Sequence, residues 1–411
     1  MRKWLIARSA RVAGLCHQKF RCLSTTSSGI QDVERVSIRV GSSGNISVDL
    51  HNIAKVSSSD PLLVYLPPYS TALADEVAPL PKFIKRQPTA VINYRWAGFS
   101  PAGVKGLPVS VPNESGENEH SHLSWPAPIH DTLRAYSWIV DNLSPSTYTR
   151  RDIYVYGSYL GASLATSLAL TETRPHHRFG VRGCIAYNGI YNWTMFLPDY
   201  HISEDPEPHS GDILEQILSF PEESDCQELK QHAEGLFARP DNLFDPFASS
   251  CLFFRTPKLL IPPSFHASAI PSASSALTDS SHASGAELLT PLKPPQKSYL
   301  VFPPRESTLK IPEMLFLHTT PPQLPPSQKE HMGNNFRTHA EELAGMMRRS
   351  INKYEIMERG EWDDELEGWD GEAARRVQVC DVGPDPGDFD LPGEGDALAT
   401  EWLEDHIGKR T

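Results

Sequence analysis

The period of apolar and polar positions changes several times along the chain, and each change predicts a new element of secondary structure. Apolar and polar side chains alternate over residues 36–40 and 46–50, on either side of the turn sequence GSSG, which predicts an antiparallel hairpin. Residues 62–66 (LLVYL) and 90–94 (AVINY) are almost continuously apolar. Such runs are typical of strands that are buried on both faces of a parallel sheet.

Helical and strand-like patterns alternate through the rest of the chain. Apolar side chains recur at helical spacing between Ile129 and Leu143, and residues 162–170 are small and apolar throughout, which predicts a buried helix. The patterns also predict strands at residues 153–156, 181–187, 313–317 and 377–382, and helices at residues 73–77, 336–356 and 396–407. This order predicts an α/β fold with a mostly parallel sheet flanked by helices.

Two segments interrupt the alternation. Residues 190–262 combine predicted helices at 213–220 and 226–238 with many aromatic side chains, and we expect an insertion that forms a lid. Residues 263–298 are rich in Ser, Ala and Pro and bury too little apolar surface to offset the entropy of ordering, so we expect a disordered linker. The core is thus predicted in two parts, at 36–262 with the lid and at 299–408.

The N-terminal segment has the composition of a targeting sequence. Residues 1–31 contain six Lys and Arg residues and no acid, and their apolar residues can share one face of an amphipathic helix. This pattern predicts a mitochondrial presequence and a location in the matrix, with a disordered basic tail as the alternative. A secretory signal fits less well, because arginines interrupt any apolar core.

Charge and cysteine usage narrow the classes of partner. The net charge is −13, and it is near −19 without the predicted presequence, so the chain does not have the basic surface that nucleic acid requires. No run of about 18 uncharged apolar residues occurs, and we expect no transmembrane helix. The four cysteines outside the presequence are widely scattered, which predicts no disulfide framework and no metal site. No glycine-rich phosphate loop or dinucleotide fingerprint occurs, so we expect no cofactor.

The most informative motif is GSYLG at residues 157–161, between a predicted strand and a predicted buried helix. It has the form of a nucleophile elbow, in which glycines flank a central residue with strained backbone geometry. The central residue is Tyr159, where such an elbow ordinarily carries serine.

Taken together, four motifs resemble those of the α/β-hydrolase fold, in particular its carboxylesterase and hormone-sensitive-lipase-like branch. The motifs are LLVYLPPYS, INYRWAG, WPAPIHDTLRAYSWI and GSYLGASLA, and the resemblance extends over residues 36–408. It implies the α/β-hydrolase fold and a triad of nucleophile, histidine base and orienting acid, with backbone donors for the oxyanion.

The resemblance implies that all three triad positions have changed. Tyr159 occupies the nucleophile position, and the neighbouring Ser158 is expected to point away from the path of attack. The loop at 383–395, where the family carries its histidine, contains no histidine and instead carries three aspartates, Asp385, Asp388 and Asp390. His318 and two threonines follow the strand that should precede the orienting acid.

The predicted oxyanion loop is also altered, because Pro67 and Pro68 carry no amide hydrogen. The amides of Tyr69, Ser70 and Leu160 remain, and we expect them to form an oxyanion or ligand pocket. The remaining histidines point to ordinary structural roles. His130 with Asp131 is interpreted as a helix-start feature, His406 as a surface residue, and the pairs His176–His177 and His120–His122 as exposed loop imidazoles.

These losses predict a mitochondrial α/β-hydrolase-like protein without serine-hydrolase activity, acting as a binding or scaffolding component. Its expected partners are a small acyl or aromatic ligand and a mitochondrial protein. The alternative is an esterase, thioesterase or other acyl-processing hydrolase that uses Tyr159, Ser158 or a histidine such as His318 in a non-standard arrangement. Lyase or isomerase chemistry on the same scaffold is a third possibility.

Overall fold

A computed structural model describes most of the predicted core. The described residues are 33–53, 60–71, 77–97, 99, 123–145, 148–196, 224–257, 298–320, 335–357, 371–387 and 389–408. The predicted presequence, the predicted helix at 213–220, most of the predicted helix at 73–77 and all but the last residue of the predicted linker lie outside these ranges.

Eight strands within the described ranges form one sheet, in the order β1-β2-β4-β3-β5-β6-β7-β8. The strands are β1 (Val33–Arg39), β2 (Asn45–His51), β3 (Leu62–Leu66), β4 (Thr89–Asn93), β5 (Arg151–Ser158), β6 (Phe179–Tyr187), β7 (Glu313–His318) and β8 (Val377–Asp381). The pairs β1–β2 and β2–β4 are antiparallel, and every other pair is parallel. The predicted hairpin and mostly parallel sheet are confirmed.

Helices cover both faces of this sheet. The helices are α1 (Ala127–Asn142), α2 (Leu160–Glu172), α3 (Ser224–Phe237), α4 (Phe336–Ser350), α5 (Glu372–Arg376) and α6 (Gly393–Gly408). Strand β5 shows the two layers, because its side chains alternate in direction. Tyr154 packs edge-on against Trp402 of α6, whereas a Cβ at Gly157 would meet Ala165 of α2.

Helix α4 differs from the single helix predicted at 336–356. Asn335 and Thr338 form a reciprocal capping box that stabilises its start. After Ser350 the chain continues as a π-helical turn, Ile351–Ile356, so the predicted range is helical but its hydrogen-bond pattern changes near the end.

The described part of the predicted lid packs on the core through aromatic rings. The carbonyl of Leu236 in α3 accepts hydrogen bonds from the Trp96 indole and the Trp125 amide, each at 2.9 Å. The rings of Trp96, Trp125 and Phe237 lie within 5.6–5.8 Å of one another. Within the described ranges, no helix is both long enough and apolar enough to cross a bilayer.

Two histidine interpretations need correction. His406 is 9% exposed, not a surface residue, because its ring stacks on Trp402 and its Nδ1 lies 2.6 Å from the Trp402 carbonyl. Beside the exposed His130, Asp131 is fully buried and accepts hydrogen bonds from the Arg95 guanidinium and amide. Asp131 is therefore half of a buried ion pair, not a helix-start feature. His176 and His177 are exposed, as predicted.

Candidate functional site

The turn between β5 and α2 has the backbone geometry of a nucleophile elbow. Tyr159 lies between the two elements with φ 49° and ψ −115°, in the left-handed region that side chains rarely adopt. Its amide donates to the Tyr187 carbonyl at 2.8 Å, which holds the turn against the end of β6. The predicted elbow is therefore present in the backbone.

The flanking glycines are required by close backbone contacts. A Cβ at Gly157 would lie 2.3 Å from the Gly161 carbonyl oxygen, and a Cβ at Gly161 would lie 2.3 Å from the carbonyl oxygens of Leu66 and Pro67. The start of α2 thus approaches the end of β3 more closely than any side chain allows.

The Tyr159 ring fills the space above the elbow. It is 3% exposed and packs edge-on against Tyr187, Phe336 and Phe389, at centroid distances of 5.6, 5.6 and 4.9 Å. These rings come from the end of β6, the start of α4 and the loop before α6, so three separate segments of the chain hold the ring. Edge-to-face packing of this kind favours a fixed ring.

A carboxylate and an amide bind the Tyr159 hydroxyl. The hydroxyl donates to Asp385 Oδ2 at 3.4 Å and accepts from Asn188 Nδ2 at 3.2 Å. Asn188 in turn accepts from the Thr319 amide at 3.0 Å, which connects the elbow to the end of β7. Asp385 lies in the loop after β8, the loop in which the resemblance implied a histidine base, so an aspartate and not a histidine faces the elbow residue.

The Asp385 side chain is held in place by its own loop. Its Oδ1 accepts from the Gly387 amide at 2.9 Å, which forms a turn and leaves Oδ2 directed at the phenol. Of the other two predicted aspartates, Asp390 is exposed and Asp388 lies outside the described residues.

The predicted oxyanion donor at Leu160 is already occupied. Its amide donates to the Pro68 carbonyl at 3.2 Å, and the neighbouring Pro67 carbonyl accepts from the Tyr94 hydroxyl at 2.8 Å. The expectation that Leu160 offers a free donor is wrong, because the double-proline loop turns carbonyl oxygens toward the elbow. A carbonyl oxygen there repels an oxyanion instead of stabilising it.

The two other predicted pocket residues lie beside this loop. Ser70 uses its hydroxyl locally, in a 2.9 Å hydrogen bond to the Tyr94 carbonyl. The half-buried Tyr69 packs edge-on against Phe389, 5.9 Å between centroids. Tyr69 therefore borders the elbow ring cluster, whereas Ser70 is bound to the segment after β4.

The protein has the α/β-hydrolase fold. The strand order, the antiparallel β2 and the elbow after β5 together establish it. The predicted fold class is confirmed.

Sequence comparisons add no family assignment, since no protein-family model and no curated protein sequence matches the chain. Among solved structures, the chain is similar to a hyperthermophilic esterase from the archaeon Pyrobaculum calidifontis, at 14% identity and a TM-score of 0.43, over 93% of this chain and 85% of that one. Carboxyl esterase 2 from the mycorrhizal fungus Tuber melanosporum gives 12% identity and a TM-score of 0.45, over 94% and 88%. A thermostable esterase from Pseudomonas putida gives 12% and 0.41, over 94% and 83%.

Ser158 lies on the α6 face of β5, the same face as Tyr156. It is 1% exposed, and its hydroxyl hydrogen-bonds the phenols of Tyr65 and Tyr156. Tyr65 belongs to the neighbouring strand β3, so this hydroxyl connects two strands instead of serving the elbow turn. The hydroxyl thus lies between two phenols, which are not bases that would activate it as a nucleophile.

The phenols around the elbow remain protonated near neutral pH. Burial raises the pKa of Tyr65, Tyr156 and Tyr187 well above the ordinary tyrosine value. At Tyr187 the nearby Tyr159 and Asp385 raise the pKa further. These three phenols are therefore neutral and do not act as phenolate nucleophiles.

A second buried polar cluster lies one turn along α4 from Phe336, and the sequence analysis did not identify it. Glu342 accepts hydrogen bonds from Arg255 and from Asn192 Nδ2, the latter at 3.2 Å. His339 beside it is fully buried, and neither ring nitrogen has a hydrogen-bond partner within the described chain. Burial lowers the His339 pKa to about 4, against the opposing effect of Glu342. The helical spacing of Phe336, His339 and Leu343 was the available signal.

No metal centre emerges from the described residues. Within those ranges, no three His, Cys, Asp or Glu side chains lie close enough together to hold a metal ion.

Proposed function

We propose that this protein is an α/β-hydrolase-fold protein without serine-hydrolase activity, acting as a binding or scaffolding component in the mitochondrial matrix. The observation that carries the proposal is the hydrogen bond from the Leu160 amide to the Pro68 carbonyl. It consumes a donor that acyl transfer needs and directs a carbonyl oxygen toward the place where negative charge would develop.

The side chains at the elbow support the same proposal. Tyr159 is a bulky, buried phenol that cannot bring its oxygen to the position of a serine hydroxyl. Its partner Asp385 is a carboxylate, which is a weak base near pH 7 compared with imidazole. Both changes act on the same step, the formation of a nucleophile.

Between the two kinds of predicted partner, the packing favours a protein over a small acyl or aromatic ligand. The rings of Tyr159, Phe336 and Phe389 occupy the space directly above the elbow, where an acyl group would lie. A protein partner would not need this space, because it would bind to the outer surface of the molecule.

A second candidate function is acyl processing through Tyr159, and the Asp385 contact favours it. The phenol donates to Asp385 Oδ2, so a proton acceptor is within reach. This route would still have to stabilise an oxyanion opposite the Pro68 carbonyl.

The mitochondrial part of the proposal rests on the basic, acid-free residues 1–31. Its test is the location of the full chain with a C-terminal fluorescent tag. We expect mitochondrial import, and we expect its loss when Arg2, Lys3, Arg8 and Arg11 are all replaced by Gln. Cytosolic fluorescence of the unaltered chain would contradict this part alone.

The enzymatic part is tested with the purified full chain, a fluorophosphonate probe and p-nitrophenyl butyrate. We expect no labelling at serine and no turnover above that of the Tyr159→Phe variant. Turnover that Tyr159→Phe abolishes would favour the acyl-processing alternative. Labelling at Ser158, lost in Ser158→Ala, would contradict the proposal directly.

The scaffolding part is tested by affinity capture of the tagged chain from isolated mitochondria. We expect one or more proteins to be recovered in stoichiometric amounts from the tagged chain and not from the tag alone. Recovery of small acyl compounds without any protein would shift the proposal to ligand binding.

A further inference from the structure

A short antiparallel ribbon is made of residues 254–256 and 298–301, which lie between α3 and β7 in the chain. The Leu300 amide donates to the Phe254 carbonyl at 2.8 Å, which holds the two segments side by side. The ribbon does not belong to the eight-stranded sheet. Each of its two segments therefore has an outer edge of its own.

The backbone groups of Tyr299 and Val301 face away from the ribbon. In an antiparallel pair, alternate residues bond to the partner segment, and the residues between them direct their N–H and C=O groups outward. Leu300 bonds inward, so the amides and carbonyls of Tyr299 and Val301 point outward. Among the residues that the structure describes, these four groups have no hydrogen-bond partner. They form an unpaired edge, which is a template for another extended chain.

Large apolar side chains are exposed along the same edge. Tyr299, Leu300 and Val301 are 52%, 41% and 43% exposed, and in the described ranges the other exposed large apolar side chains are Tyr148 and Met357. Edges of this kind are normally blocked by charged residues or proline, and residues 299–301 include neither. We call the outward side of these three residues the ribbon edge.

The ribbon is ordered before any partner arrives. At one end the Ser298 amide donates to the Thr256 hydroxyl at 3.0 Å, and the Thr256 amide donates to the Ser298 carbonyl at 2.9 Å. At the other end Phe302 is buried, packs on Phe253 at a centroid distance of 5.0 Å and accepts a hydrogen bond from the Ser350 hydroxyl. A preformed edge lowers the entropy cost of binding.

A positive charge lies beside the ribbon edge. The Arg349 guanidinium lies 3.8 Å from the centroid of the Tyr299 ring, and it forms no ion pair with a carboxylate of the described chain. Arg349 lies near the opposite end of α4 from Phe336, roughly 20 Å along the helix at about 1.5 Å per residue. The ribbon edge is therefore separate from the elbow ring cluster and presents a cation to a partner.

We propose that a protein partner binds at the ribbon edge by strand addition, through an extended apolar segment that carries an acidic residue. The amides and carbonyls of that segment pair with those of Tyr299 and Val301, its apolar side chains cover the edge, and its carboxylate pairs with Arg349. The inference rests on the proposed binding function and names the surface and the kind of segment that it takes.

The test is fluorescence anisotropy with the purified full chain and a labelled peptide of alternating valine and threonine, with one central glutamate and lysines at its ends. A second peptide has the same sequence with alternate backbone amides N-methylated, which removes the donors that strand addition needs. We expect saturable binding of the first peptide and at least about tenfold weaker binding of the second. Equal binding of the two peptides, or binding of neither, would overturn the proposal.

Two variants at one position locate the contact. Val301→Ala shortens the side chain and keeps the outward amide, whereas Val301→Pro also removes that amide. The Val301 amide has no partner in the described chain, so both variants should keep the circular dichroism of the unaltered protein. We expect the proline variant to bind the peptide about tenfold more weakly than the alanine variant, and equal affinities would contradict the assigned edge.

Arg349 is tested by pairing a protein variant with a peptide variant. Arg349→Gln should weaken binding of the glutamate peptide by up to about fivefold, because the ion pair is lost at an exposed position. The same variant should leave the affinity for a glutamine-containing peptide unchanged. Equal losses with both peptides would contradict a pairing between Arg349 and the acidic residue.

Sedimentation tests a second copy of this chain as the occupant. We expect the unaltered chain and Val301→Pro to have the same mass in solution. A dimer that the proline variant dissociates would show that the ribbon edge pairs with itself, and would overturn the assignment to a partner protein.

Affinity capture from isolated mitochondria separates this inference from the proposed function. We expect proteins that are captured by the unaltered chain and by Val301→Ala to be lost with Val301→Pro. Undiminished capture by the proline variant would leave the binding function in place and overturn the ribbon edge as its surface. Peptide binding without any captured protein would contradict the proposed function and support the edge alone.

Discussion

At the scale of single residues, Tyr159 connects three strand ends of the sheet. Its ring packs on Tyr187, Phe336 and Phe389, and its hydroxyl bonds Asp385 and Asn188. A serine at this position would leave most of these contacts unmade. Tyr159 therefore has a structural role that serine could not fill.

Tyr159→Ser should therefore lose stability without gaining esterase activity. Removing a buried ring costs about 3–5 kcal/mol in the free energy of unfolding. Asp385 and the occupied Leu160 amide remain, so hydrolysis of p-nitrophenyl butyrate should not exceed that of Tyr159→Ala. Urea unfolding measures the first effect. Esterase activity in the serine variant alone would contradict the prediction.

His339 predicts a pH dependence of stability. Its pKa is about 4 when folded, against about 6.5 when unfolded, so the unfolded chain binds a proton first as the pH falls. The free energy of unfolding should then decrease by roughly 3 kcal/mol in total between pH 6.5 and pH 4. Above about pH 6.5 His339 is neutral in both the folded and the unfolded chain and causes no loss of stability.

The measurement compares urea unfolding at several pH values in three chains. His339→Leu should flatten the curve between pH 6.5 and 4, and His130→Leu, at an exposed position, should leave it unchanged. If the free energy of unfolding of His339→Leu depended on pH as in the unaltered chain, His339 would not be the group responsible.

At the scale of elements, the approach of α2 to β3 fixes the elbow. The approach depends on Gly161, whose missing side chain lets α2 begin against the carbonyls of Leu66 and Pro67. The same approach brings the Leu160 amide to Pro68. Element packing, not the elbow motif alone, therefore decides whether a donor is free.

Gly161→Ala should destabilise the fold by about 2 kcal/mol or more, because its Cβ would overlap two backbone oxygens. Gly345 in α4 provides the matched control, since a Cβ there meets nothing within 4 Å. Gly345→Ala should stabilise the protein by up to about 1 kcal/mol through helix propensity. Thermal unfolding of both variants checks the opposite signs.

At the scale of the whole molecule, buried ion pairs connect distant parts of the chain. Arg95, after β4, binds Asp131 of α1 through two side-chain hydrogen bonds of 2.9 and 2.7 Å and also binds the hairpin turn at Ser43. Three elements are thus joined at one guanidinium. The Asp131 carboxylate is fully buried, so its charge depends on the hydrogen bonds from Arg95 in place of water.

Asp131→Ala should lower the free energy of unfolding by about 3–5 kcal/mol, since it leaves the Arg95 charge buried and unpaired. His130→Ala, at the exposed position beside it, should change stability by less than about 0.5 kcal/mol. Equal effects in chemical denaturation would contradict the assignment of a buried pair.

The fold was predictable because its signals are local. Strand and helix periods, the order of elements and the glycine spacing of the elbow are properties of short segments. The predicted strands and helices that fall within the described residues reappear in the structure within a few residues of their predicted bounds. The buried states of His406 and Asp131 were not predictable in this way, because their partners come from other turns and other elements.

The sequence by itself determined that Tyr159 stands in a nucleophile elbow, that the last loop lacks histidine and that Pro67 and Pro68 lack donors. Only the tertiary structure decided that Asp385 meets a phenol 226 positions away and that the Leu160 amide binds Pro68. The physical reason is that a hydrogen bond forms only between groups that the packed elements bring within about 3 Å of each other. The periodicity of the sequence gives no information on distances between separate elements.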